Sequence, residues 1–199
     1  MNETGFARFG VLAALLAALL LGGCRADPGP PPLDGATMGG PFTLTSHDGR
    51  RVSDSDFAGR YRLVYFGFTF CPDVCPTDLQ VLAAGLRRFE ASDPERAARV
   101  QPLFVTVDPA RDTPEALRAY VANFHPRLVG LTGSEEEIAR VARAYGVYRM
   151  RGEAAADGGY LVDHSRMAVL YGPEGRPLAI VPHDHGAEGV AAALDRWVT

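Results

Sequence analysis

The chain is 199 residues long, 47% apolar, with a net charge of −4 from 20 basic and 24 acidic side chains. That length supports one domain with a sizeable core, and the composition is that of an ordinary globular protein rather than a disordered or fibrous one. The mild acidity and the lack of a long basic run exclude nucleic acid as a partner, and no Gly-rich phosphate loop supports nucleotide binding.

Arg8 precedes an apolar run from Val11 to Leu21, which falls short of the roughly 20 residues a spanning helix needs. Leu21-Gly22-Gly23-Cys24 closes the run with small residues, so residues 1–23 read as an export signal. Leu-Gly-Gly-Cys resembles a bacterial lipobox, with Cys24 as the lipid-bearing residue. The expected location is therefore the bacterial plasma membrane, with a lipid-anchored domain facing the periplasm. Residues 24–41, which include Pro28, Pro30, Pro31 and Pro32, read as a semi-extended tether, and 42–199 as the folded domain.

Phe42–Thr45 alternates like a strand, and His47-Asp48-Gly49-Arg50 turns it toward a short partner at Arg51–Ser53. Arg62–Phe66 is apolar enough for an interior strand. It leads into a two-cysteine loop and then a helix with Pro76 in its first turn. Leu79, Val81, Leu82, Leu86 and Phe89 give that helix one packing face. A second apolar strand spans Val100–Val107. Asp112 or Thr113 caps the next helix, with Asp112 and Glu115 at capping-box spacing. A short strand at Leu128–Leu131, a helix from Ser134 to near Tyr145 and a loop at Gly152–Gly159 follow. Strands at Tyr160–Asp163, Met167–Tyr171 and Pro177–Val181 and a helix at Gly186–Val198 close the chain. This order of elements predicts an α/β fold, a thioredoxin-like sandwich with an N-terminal β-hairpin.

Of the three cysteines, Cys24 belongs to the signal, which leaves Cys71 and Cys75 in the domain. A bridge across so short a loop would restrict the unfolded chain by only roughly 2 kcal/mol, and a domain of this size does not need it, so the pair is chemical. Near a helix start, Cys75 is expected to ionise more readily than a free thiol. C-x-x-C is the usual signature of disulfide exchange; here the spacing is C-x-x-x-C, which also leaves room for both sulfurs to face one ion. Two thiolates suit Cu(I), and an added imidazole extends the set to Cu(II).

The imidazole must come from far along the chain. His47 lies in a hairpin turn and reads as solvated, His125 as a helix-end or surface residue, and His183 and His185 as parts of a solvated loop. His164, in Leu161-Val162-Asp163-His164-Ser165, lies before a late strand, where redox members of the thioredoxin-like fold place a proline against the cysteines. It is the candidate third ligand. Asp73, Asp108 and Asp163 are supporting candidates, with Arg111 fixing the loop beside Asp108; Met150 reads as packing.

Phe68-Thr69-Phe70-Cys71-Pro72-Asp73-Val74-Cys75-Pro76 resembles the signature of the Sco/SenC family of copper chaperones. Val107-Asp108-Pro109-Ala110-Arg111-Asp112-Thr113 and Val162-Asp163-His164-Ser165 fit its two later motifs. The resemblance implies one copper, as Cu(I) or Cu(II), held by Cys71, Cys75 and His164. It implies delivery to the CuA domain of cytochrome c oxidase subunit II during assembly, with a periplasmic copper donor or thioredoxin-like reductant upstream. The alternative is a membrane-tethered thiol–disulfide oxidoreductase in which Cys71 and Cys75 alternate between dithiol and disulfide. Nothing beyond the cysteines supports a peroxide-reducing relative.

Overall fold

A computed structural model of the chain describes residues 29–154 and 159–199. The leader and Cys24 lie outside the described residues, as does the middle of the loop after Gly152. The hairpin of β1 (Thr43–Ser46) and β2 (Arg51–Ser53) comes first, then β3 (Tyr61–Gly67), then the cysteine loop and α1 (Val74–Ser92). After α2 (Pro94–Ala98) come β4 (Val100–Thr106), α3 (Pro114–Val121), β5 (Val129–Thr132) and α4 (Glu135–Ala144). The chain continues through β6 (Arg149–Arg151), β7 (Val162–His164), β8 (Ala168–Tyr171), β9 (Pro177–Ile180) and α5 (Gly186–Trp197).

Seven strands form one mixed sheet in the order β2-β1-β5-β4-β3-β8-β9. β3, β4 and β5 are parallel; β8 runs antiparallel to β3, and β1 antiparallel to β5. Every residue of β3 and of β4 is buried, as strands covered on both faces must be. The apolar run Leu63-Val64-Tyr65-Phe66 thus delivers the cysteine loop from the middle of the sheet. α1 buries Leu79, Leu82, Leu86 and Phe89, each contributing about 2 kcal/mol through burial. The expected sandwich with its N-terminal hairpin is the observed architecture.

Two features depart from the expectations. Residues ahead of β1, expected as part of a tether, lie along the domain: the Leu33 N–H donates to Leu178 O at 3.0 Å and the Gly39 N–H to Ala144 O at 2.8 Å, while Leu33 and Met38 pack on the core. Among the late strands β8 and β9 pair as an antiparallel hairpin, while β7 stands apart from them. β7 pairs with β6 in a separate two-stranded ribbon, with Arg149 opposite His164, whereas β8 joins the main sheet. Three residues, Arg-Met-Arg, are too short a run for their alternation to announce β6. At α3 the structure uses one of the two expected caps. Thr113 caps this helix, its hydroxyl accepting from the Ala116 N–H at 3.2 Å.

Asp112 is turned inward instead and is fully buried. Its carboxylate accepts from the Thr69 N–H at 3.1 Å, the Thr69 hydroxyl at 2.7 Å and the Thr106 hydroxyl at 2.6 Å. It is a strut between the end of β4 and the cysteine loop. Burial pushes its pKa up, and the hydroxyl donors oppose that shift.

Two measurements test this packing. Gly85 lies where α1 meets α5; a Cβ there would stand 2.4 Å from Val190 and 2.9 Å from Ala187 O. Gly85→Ala is expected to cost about 1–3 kcal/mol in denaturant unfolding, and an unchanged midpoint would contradict the close approach. Asp112→Ala strands three donors and is expected to cost roughly 3 kcal/mol, with faster amide exchange at Thr69.

Candidate metal centre

Cys71, Cys75 and His164 come from three segments separated in sequence: the loop after β3, the first turn of α1 and the end of β7. One ligand atom from each lies within 4.8 Å of the others. His164 Nε2 stands 3.2 Å from Cys75 Sγ. Both cysteines are free thiols.

Local chemistry sets each side chain. The Cys75 N–H, in the first turn of α1, donates to Cys71 Sγ at 3.4 Å, so this sulfur stands where a capping oxygen would otherwise stand. His164 Nδ1–H donates to Ser165 O at 3.0 Å, which fixes the tautomer and turns a bare Nε2 toward the sulfurs. The ring is further held edge-on to Phe68, centroids 5.9 Å apart. Gly67 makes the close approach of Cys75 possible. A Cβ there would lie 3.0 Å from Cys75 Sγ and 2.9 Å from Phe104.

Electrostatics corrects one expectation. The helix terminus does not make Cys75 acidic, because the side chain is fully buried and desolvation pushes its thiol well up, against a smaller opposing effect of the Phe68 backbone. Desolvation likewise lowers the His164 pKa, and the bond to Ser165 O partly offsets it. The imidazole is therefore neutral near pH 7, the form a metal requires.

The supporting candidates divide. Asp108 is buried and accepts from Arg111 Nε and from the Tyr160 hydroxyl at 2.8 Å. The Arg111 guanidinium lies over Tyr160 at 3.7 Å and over exposed Phe70 at 4.8 Å. Asp73 and Asp163 are exposed, and Asp163 pairs across the ribbon with Met150, pointing away from His164. Met150 does not pack into the core: it is 52% exposed, and its sulfur accepts from the Tyr148 hydroxyl.

The other histidines are not all solvated. His125 is buried, with Nε2 3.3 Å from Glu90 and Nδ1 accepting from the Arg127 N–H. His47 Nδ1 accepts from the Gly130 N–H at 3.0 Å. His183 is mostly buried, 3.4 Å from Asp78 and edge-on to Tyr65; of that pair only His185 faces solvent.

Asp78 was missed by sequence reasoning. It is buried, accepts from the Tyr65 hydroxyl at 2.9 Å and pairs with Arg166 through both carboxylate oxygens. Burial raises its pKa, but Arg166, Tyr65 and His183 together hold it below the ordinary carboxylate range. An aspartate three residues after Cys75, on the face that also carries Leu79 and Leu82, was the available signal.

Known proteins match most of the chain. The family described as SCO1/SenC matches residues 30–199. The human mitochondrial protein SCO1 homolog is 43% identical over 157 residues, which are 79% of this chain and 52% of that one. The mitochondrial SCO1 homolog 1 of Arabidopsis thaliana is 48% identical over 139 residues, 70% and 40% of the two chains. The chain thus spans about half the length of these curated relatives. Arabidopsis ScoI, solved with copper bound, superposes with a TM-score of 0.74 at 41% identity, covering 80% of this chain and 97% of that one. The thioredoxin domain of a thiol-disulfide oxidoreductase from Bacteroides vulgatus shares the fold alone, with a TM-score of 0.56 at 17% identity.

These relatives overturn the expected bacterial plasma-membrane location, since the two curated relatives named above are mitochondrial proteins of eukaryotes. Among the described residues no helix is long and apolar enough to cross a membrane. An apolar run behind one arginine does not distinguish a bacterial export signal from other targeting segments, so residues 1–24 could not carry that assignment. The match over residues 30–199, with identities above 40% across most of the chain, makes this chain a member of the SCO1/SenC family.

Proposed function

We propose that the chain is a copper carrier: it takes one copper ion between Cys71, Cys75 and His164 and passes it to the CuA domain of cytochrome c oxidase subunit II during assembly. The convergence of two sulfurs and a bare imidazole nitrogen within 4.8 Å supports this reading most directly. The donor set fits the ion. Two thiolates suit Cu(I), and sulfur with imidazole nitrogen suits Cu(II). The copper-bound Arabidopsis relative supports the same cargo.

The site's electrostatics suits temporary custody. A buried thiol must lose its proton when the ion enters, and that proton is available to compete when the ion leaves. A partner with cysteines and histidines can then take the ion by stepwise ligand exchange, each new bond forming as an old one breaks.

A second reading shares the cysteines. Two free thiols this close can form a disulfide, yielding two electrons and two protons to reduce a disulfide in the receiving protein. The readings part at His164, which thiol exchange does not require.

Metal analysis of the purified chain is expected to give one copper per chain, lost in Cys71→Ala and Cys75→Ala. In His164→Ala, Cu(II) retention is expected to fail while reduction of a model disulfide persists. A His164→Ala chain that holds Cu(II) as well as wild type would sink the carrier reading. Because the Cys75 thiol is raised, it is protonated near neutrality, so apparent copper affinity is expected to rise about tenfold per pH unit between about pH 6 and 8 for each proton displaced. A flat competition titration over that range would show that no thiol proton leaves.

A further inference from the structure

We propose that Arg166 is a positioning residue for His164: through its ion pair with Asp78 it holds the imidazole beside Cys75 whether or not a metal is bound. This inference rests on the copper reading above.

Asp78 lies three residues after Cys75 on α1, close to one helical turn, and both side chains are buried on the same side of the helix. Arg166 lies two residues after His164, in the short connection between β7, which ends at His164, and β8, which begins at Ala168. Two parallel rungs therefore join the same two segments. One is His164 Nε2 to Cys75 Sγ at 3.2 Å, and the other is Arg166 to Asp78.

The rungs differ in kind. The first is a weak nitrogen–sulfur contact unless an ion bridges it. The second is a bidentate, charge-assisted pair, with Nη2 to Oδ1 at 2.7 Å and Nε to Oδ2 at 3.1 Å. Asp78 is only 4% exposed and is fixed from its other side by the Tyr65 hydroxyl, so it is a rigid anchor. Arg166 is 52% exposed, and nothing in its own surroundings requires it for the core. Its reach to a buried carboxylate serves to fix the connection it sits on, just past His164. On the same connection the Ser165 N–H donates to Tyr148 O and the Ser165 hydroxyl accepts from the Tyr148 N–H, both at 3.0 Å. These hold it to the ribbon and not to α1.

The consequence is specific to oxidation state. Cu(II) needs the imidazole, whereas Cu(I) is served by two sulfurs. Loss of the Arg166 rung should therefore weaken Cu(II) and spare Cu(I).

The test uses the whole chain as wild type, Arg166→Met, Arg166→Lys and Asp78→Asn. Each is loaded separately with Cu(II) and Cu(I) and followed by electron paramagnetic resonance, visible absorption and dissociation into a chelator. Arg166→Met keeps the stem and removes the charge. It is expected to release Cu(II) roughly 10-fold faster or more, with weakened imidazole nitrogen splitting, and to lower the apo melting temperature because the buried Asp78 carboxylate loses its cation. Cu(I) release is expected to change by less than about twofold. Arg166→Lys, which reaches one carboxylate oxygen, is expected to fall between, and Asp78→Asn to repeat the Arg166→Met pattern. An Arg166→Met chain with wild-type splitting and Cu(II) release would overturn the proposal. So would equal losses of Cu(I) and Cu(II). A wild type that shows no imidazole splitting at all would remove the copper ligand set, and this inference with it.

Discussion

The nitrogen–sulfur approach between His164 and Cys75 is the constraint on which the site depends. The two residues lie 89 positions apart, and the contact crosses from the end of β7 to the first turn of α1. No covalent bond closes that distance; the packed sheet does. β3 delivers the loop, α1 presents the thiol against it, and the ribbon of β6 and β7 swings the imidazole over the top. Each piece has a short range of motion because a buried strand or helix lies directly behind it.

Polar ties at the rim finish what apolar packing begins. Asp112 joins the cysteine loop to β4, Asp108 ties Arg111 to Tyr160, and the Arg149 guanidinium ties the ribbon to Val107 O. Buried carboxylates are expensive unless their oxygens are satisfied, and each of these is surrounded by donors. Hydrophobic burial places segments to within a side chain; directional bonds to a fixed acceptor place them to within a bond length. A metal site needs the second degree of order.

Much of this was legible in the sequence because the signals were local. The apolar run into Cys71-Pro72-Asp73-Val74-Cys75-Pro76 announces a strand, a loop and a helix start by periodicity and proline chemistry alone. His164 was legible because it occupies a position where the fold class sets an expectation. What could not be read was the identity of long-range partners. Asp112 and Thr113 read equally well as the helix cap because capping is a local rule; Thr113 takes that role and frees Asp112 to reach Thr69. Asp78 and Arg166 are 88 positions apart, and neither carries a pattern that names the other. The acidity of Cys75 was misjudged for a related reason: the helix terminus is visible in the sequence, but the depth of burial that outweighs it is a tertiary property.

The sulfur of Cys71 stands in for the oxygen that normally satisfies a helix start. One atom thus serves two masters, an amide of the backbone and whatever electrophile or ion the protein is handling. Any change in that atom's electron density is felt at once by the hydrogen bond that anchors the first turn of α1. The helix end is accordingly a built-in gauge, its tightness following the chemical state of the sulfur. A bond made at this sulfur therefore alters the first turn of α1 along with the site.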